Sequence, residues 1–196
     1  MPRLLDIGTG LGTMIEVAEK LGFESEGIEF CKGLAKKARE RGFKVHSGKT
    51  EELHFDKKFE VITMMDVIEH LPNPLATLKS LKRFLIPGGE IIVYTPNHRS
   101  PIVRMANLLN TFGVSTPAVN IFANNHVSFF DDNTLSETLK RAGFHVKEKV
   151  IRPYDIFRPG GQISLISLIM VSLVEYLGYF MKGAGFRLLV YAELMP

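Results

Sequence analysis

The sequence predicts an α/β fold, a mostly parallel sheet with helices on both faces, and three observations carry that expectation. Short apolar runs alternate with segments of helical spacing along the chain. Three of those helices end in Gly-Phe, at Gly22-Phe23, Gly42-Phe43 and Gly143-Phe144. There glycine takes the left-handed conformation that stops a helix, and phenylalanine opens the next strand. Finally, the first apolar run leads directly into a loop with glycine at every second position, Gly8, Gly10 and Gly12.

The elements follow in order. "LLDI" reads as a short buried strand, "MIEVAEKL" as a helix and "FESEGIEF" as a second strand. Helix "GLAKKARER" leads to strand "FKVHSG", and after a loop come strand "FEVITMMD", helix "NPLATLKSLKRFL" and strand "EIIVYTPN". In that helix Asn73 is the expected N-cap and Pro74 the first helical residue, and Pro87-Gly88-Gly89 predicts a turn before the strand. Helix "TLSETLKRA", capped by Asp131-Asp132, precedes strands "FHVKEKVI" and "FRLLVYAEL". In such a sheet ligands bind beyond the carboxyl ends of the strands, where the strand order reverses.

A chain of 196 residues with 45% hydrophobic content is expected to form one domain, 1–196, with a sizeable core. With 24 basic and 21 acidic residues the charge is too balanced for a nucleic-acid footprint, so no nucleic-acid partner is expected. The single Cys31 excludes an internal disulfide or a cysteine metal cluster and fits a reducing compartment. The start shows no signal-peptide pattern, and the expected location is cytoplasmic.

The glycine loop "LLDIGTGLGTM", Leu4 to Met14, suits a nucleotide: glycine lets the backbone approach a ligand closely, and a helix N-terminus follows. A dinucleotide fingerprint would place a third glycine where Thr13 stands. Asp6, two residues before Gly8, would repel a pyrophosphate but can accept hydrogen bonds from an ammonium group. Glu29, closing the second strand, stands where an acid accepts from both ribose hydroxyls. An aminoacyl nucleoside satisfies both carboxylates.

At these residues the sequence resembles the class I S-adenosylmethionine-dependent methyltransferases, whose fold is Rossmann-like. "LLDIGTGLG" is similar to their first motif, "GIEF" to the ribose-binding strand end, and "FEVITMMDVIEHLPNP" with "FLIPGGEIIVYTPN" to the fourth strand and the passage into the fifth. The small-molecule group that includes quinone-biosynthesis methyltransferases is the nearest sub-type, and "HVSFFDDNTLSETLKRAGFHV" is similar to its late segment. The resemblance implies S-adenosylmethionine as cofactor and a small molecule as methyl acceptor. It implies that Asp6, Gly8, Thr9, Gly10 and Gly12 hold the methionine part, that Glu29 holds the ribose, and that Asp66 lies near the cofactor. Two departures stand out. Lys49 occupies the place of an adenine-binding aspartate, which leaves Thr50 or Glu51 as the expected adenine contact. Only Met1-Pro2-Arg3 precedes the first strand, so the expectation is that the usual N-terminal cap is lacking or that the chain is incomplete.

Methyl transfer from a sulfonium asks the protein mainly to align the acceptor and exclude water. An oxygen acceptor must also lose a proton, and His70 and His126 are the candidate bases. For His70 the competing reading is a histidine that orders its loop. Residues 98–125 are expected to form a substrate-covering insertion. Asp66, Glu69 and His70 are read as solvated loop residues, so no metal is expected, and Cys31 as a half-buried residue without nucleophilic role.

The apolar stretch Ile163–Met181 could reach across about 30 Å at 1.5 Å per residue. Ser164, Ser167, Ser172, Glu175, Gly178 and Lys182 nevertheless gather on one side of a helical wheel, and Glu175 would cost about 2.5–3.5 kcal/mol in a bilayer. A helix packed on the sheet is expected, with an apolar face left for a lipid-like acceptor, a membrane surface or a homodimer contact. Two other functions compete with methyl transfer: a cofactor-binding chain without turnover, and an NAD-dependent oxidoreductase, which Thr13 and Asp6 disfavour.

Overall fold

The computed structural model describes residues 1–113, 126–152 and 185–195. Seven strands form one sheet in the order β3-β2-β1-β4-β5-β7-β6. They are β1 (Arg3–Ile7), β2 (Glu24–Glu29), β3 (Val45–Ser47), β4 (Phe59–Met65), β5 (Leu85–Pro96), β6 (Phe144–Arg152) and β7 (Arg187–Leu194). Strands β1 to β5 pair in parallel, and β7 lies antiparallel between β5 and β6. The chain thus builds outward from β1 to β3, then returns to β4 and builds the other way, which puts the topological switch between β1 and β4.

The helices are α1 (Thr13–Lys20), α2 (Lys32–Glu40), α3 (Pro74–Leu81), α4 (Pro101–Thr111) and α5 (Asp132–Ala142). Their ends follow local chemistry. Gly22, Gly42 and Gly143 take φ of 88°, 94° and 94°, the left-handed conformation that stops α1, α2 and α5. The Asn73 side chain accepts the Ala76 N–H at 3.0 Å, with Pro74 opening α3. Asp131 and Thr134 cap α5 reciprocally. The Pro87-Gly88-Gly89 turn is absorbed into β5 as an irregularity: Leu85 pairs with Phe59, and pairing resumes only at Glu90 opposite Val61.

Two apolar clusters hold these layers. Ile15, Ala35, Ala38 and Val45 join α1, α2 and β3, whereas a larger cluster joins the central strands to α3 and α5 through Leu78, Leu81, Leu135 and Leu139. Fully burying each of those leucines contributes about 1.5–3 kcal/mol. Crossovers that build in opposite directions from the switch place the two helix pairs on opposite faces, because each is right-handed. The carboxyl ends of β1, β2 and β4 are left to the loops, and the candidate site lies there. Of the expected insertion, residues 98–113 contain α4, and 114–125 lie outside the described residues, as does the stretch 163–181. Among the described residues no helix is long and apolar enough to cross a membrane.

Candidate functional site

The glycine loop turns back onto β2. Gly8 and Thr9 N–H groups both donate to the Ile28 carbonyl, at 2.8 and 3.1 Å, and Gly10 N–H donates to Glu29 Oε2 at 2.8 Å. The other Glu29 oxygen accepts from Cys31 N–H at 2.8 Å. A side chain on Gly10 would meet no protein atom within 4 Å, so the backbone there borders open space. Gly27 on β2 has the opposite surroundings: a Cβ would lie 2.7 Å from Thr9 and 2.8 Å from Ile15, and its absence lets the loop pack down on the strand. Sequence reading did not single out Gly27, although glycine inside a strand is the signal for such an approach.

Asp6 sits beneath this loop, paired across the sheet with Gly27 on one side and Thr63 on the other. It is 3% exposed. Burial pushes its carboxyl up to about 6, against the pull of the Thr63 hydroxyl, which donates to Oδ1 at 2.7 Å. A buried acid held this way gains from a cationic group placed against it. Beyond β3, Lys49 is exposed and Thr50 buried.

On the other side of the switch β4 is followed by Asp66, a non-glycine residue with φ of 55°. Its N–H donates to the Tyr94 carbonyl at 2.9 Å, and its carboxylate pairs with Arg187 at the start of β7. The Arg187 guanidinium lies over the Tyr94 and Phe186 rings, 5.1 and 5.2 Å from their centroids. Arg187 was missed by sequence reading, and its one signal was a cation opening an apolar strand.

Glu69 corrects the reading of a solvated loop. It is 2% exposed, because its carbonyl anchors the N–H groups of Val127 and Ser128 at 2.9 and 3.0 Å and draws that segment over it. Its Oε2 accepts from the Thr95 hydroxyl at 2.9 Å, and Oε1 is buried without a hydrogen-bond partner. Burial, with the Asp66 charge adding to it, holds this carboxyl above its ordinary range. Cys31 departs from expectation the other way, being exposed.

The same anchoring brings together the two histidines. The His70 and His126 rings meet edge to face, 4.7 Å between centroids. Burial, then the neighbouring His70, lowers the pKa of His126, so its imidazole is neutral at pH 7. Donor atoms of Glu69, His70 and His126 lie within 4.8 Å of one another, a spacing that a divalent cation could bridge. Next to them lies a small open cleft, lined by Glu69, Pro96, His98, His126, Phe129 and Phe186 among others. The arrangement offers a carboxylate-and-glycine cradle on one side of the switch, and an aromatic cleft with a neutral imidazole on the other.

A family model for a methyltransferase domain matches residues 1–149. A ubiquinone biosynthesis O-methyltransferase of Xanthomonas oryzae pv. oryzae is 32% identical over 107 residues, 50% of this chain and 44% of that protein. The chain therefore spans less than half the length of that relative. The namesake of Xanthomonas euvesicatoria pv. vesicatoria is 28% identical over 92% of this chain and 76% of its own length. Among solved structures, an S-adenosylmethionine-dependent methyltransferase from Thermotoga maritima superposes with a TM-score of 0.66 at 23% identity, covering 98% of this chain and 82% of its own. That likeness extends to the fold.

Proposed function

The chain belongs to the methyltransferase-domain family, and from that premise we propose that it binds S-adenosylmethionine at the β1–β2–β4 edge and passes its methyl group to a small-molecule acceptor in the aromatic cleft. The single observation that carries the reading is the closure of the glycine loop on Glu29, with Gly10 N–H 2.8 Å from the carboxylate. It puts an acid that can accept from ribose hydroxyls beside a backbone free of side chains and next to the buried Asp6.

The residues fit such a cofactor. The open space at Gly10 leaves room for the ligand, and the buried Asp6 carboxylate favours an ammonium group as its counter-charge. In this reading Gly8, Thr9 and Gly12 shape the same cradle, Asp66 lies across from it, and Thr50 contributes to the adenine side. When bound, S-adenosylmethionine supplies an electrophilic methyl carried on a sulfonium. The protein's own part is alignment: Phe129, Phe186 and Pro96 offer an apolar wall to the acceptor. A neutral His126 takes the proton of an acceptor hydroxyl, and His70 holds the His126 ring edge-on.

The test is a calorimetric titration with S-adenosylmethionine and with NAD, followed by incubation with S-adenosylmethionine and a panel of small hydroxyl- and amine-bearing acceptors. Binding of S-adenosylmethionine alone, then release of S-adenosylhomocysteine with one acceptor class, is the expected result. Preference for NAD overturns the cofactor assignment, and tight binding without transfer to any acceptor overturns the proposed turnover.

A further inference from the structure

The loop that follows β3 begins at the same edge as the glycine loop. β3 ends at Ser47, level with Glu29, and Gly48 N–H donates to the Glu29 carbonyl at 3.3 Å. From there residues 48–53 are held by the segment at the end of α3. One terminal nitrogen of Arg83 donates to the carbonyls of Thr50, Glu51 and Leu53, at 2.6, 2.9 and 3.0 Å. The Thr77 hydroxyl adds a second tie, to the Glu51 carboxylate at 3.2 Å. The Arg83 guanidinium rests over the Phe84 ring at 4.7 Å, and Phe84 meets Phe55, just past the loop, edge to face at 5.0 Å.

An exposed guanidinium could leave its donors to water. Here one nitrogen serves three carbonyls of one loop, which fixes that loop's backbone before any ligand arrives. Ordering a loop on binding costs affinity, and a loop already ordered avoids that cost. Resting on the S-adenosylmethionine reading above, we propose that Arg83 is a positioning residue for the adenosine end of the cofactor, holding the loop wall that continues the site beyond Glu29.

The test uses Arg83→Ala and Arg83→Lys with two probes, S-adenosylmethionine and 5′-methylthioadenosine, which keeps the nucleoside and lacks the amino-acid part. Because Arg83 is exposed, both variants should melt near the parent. Arg83→Ala should weaken both probes by the same factor, about three- to tenfold, because the loop must then be ordered on binding. Arg83→Lys, whose ammonium cannot serve three carbonyls in the same geometry, should fall between. Hydrogen exchange of amides 50–53 in the free Arg83→Ala protein should quicken. Unchanged affinities, or a loss confined to S-adenosylmethionine, overturn the proposal. A parent protein that binds neither probe overturns the cofactor reading itself and the proposal with it, an outcome distinct from a parent that binds both and variants that match it.

Discussion

The carboxylate of Glu29 bridges two backbone amides, Gly10 N–H on one oxygen and Cys31 N–H on the other, each at 2.8 Å. It closes the glycine loop, and each oxygen keeps lone-pair capacity for a ligand hydroxyl. Glu29→Ala removes both functions and should weaken S-adenosylmethionine by about 1.5–3 kcal/mol, as hydrogen bonds to a charged group do. Glu29→Gln keeps one carbonyl acceptor and should lie between. Calorimetry on folded variants checks this, and unchanged affinity removes the ribose assignment.

Gly10 and Gly12 separate binding from folding. Both have positive φ, 57° and 87°, yet a Cβ at Gly10 meets nothing while one at Gly12 runs into the Phe43 ring. Gly10→Ala should cost about 1–2 kcal/mol of stability for the left-handed backbone and abolish cofactor binding, and Gly10→Val should abolish it too. Gly12→Ala should destabilise further, since Phe43 must move. Thermal melts beside titrations distinguish the two, and a Gly10→Ala protein that binds like the parent moves the cofactor elsewhere.

Asp6 sets stability against binding through pH. Its carboxyl is raised from 3.8 to about 6 in the folded chain. The folded state therefore favours the protonated form: the stabilisation is complete below pH 3.8 and is lost as pH rises through 6. At 1.36 kcal/mol per unit the charged carboxylate costs up to about 3 kcal/mol above pH 6. Asp6→Asn should thus be more stable than the parent at pH 8, no more stable at pH 3.5, and poor at binding S-adenosylmethionine. In the parent, cofactor affinity should rise between pH 5 and 7 as Asp6 ionises. Denaturant unfolding at the two pH values and titrations across that range measure both halves, and a flat affinity profile removes the ammonium assignment.

What could be read from the sequence was local. The Asn73 and Asp131 caps and the Gly-Phe helix ends are written in neighbouring residues, and they fixed where strands and helices alternate. Asp6 and Glu29 were legible because they flank the glycines at set spacing. Glu69 was not, because its burial comes from Val127 and Ser128, whose amides dock on its carbonyl from far along the chain. Nor did spacing reveal that Gly27 admits Thr9, or that Arg83 grips the loop after β3. Each depends on a register or crossover that periodicity leaves open.

The Arg187–Asp66 pair joins residues 121 apart in sequence and yields the sharpest stability test. Asp66 holds a left-handed backbone, tolerable for Asp and Asn but costly without a fixed side-chain partner. Arg187 provides that partner, and its own side chain is 8% exposed against 26% for Asp66. Arg187→Ala leaves the carboxylate without its cation and removes a guanidinium packed on Tyr94 and Phe186. It should cost about 3 kcal/mol, the low end for breaking a buried pair, because Asp66 is still partly hydrated. Asp66→Asn should cost less, since the amide keeps both the backbone preference and an oxygen for Arg187. In the Asp66→Asn, Arg187→Ala double variant the charge at position 66 is gone together with the guanidinium, so the loss should fall short of the sum of the singles. Urea unfolding of the four proteins gives the coupling directly. A coupling near zero would mean that Arg187 stabilises β7 by packing alone and that Asp66 keeps its conformation for another reason.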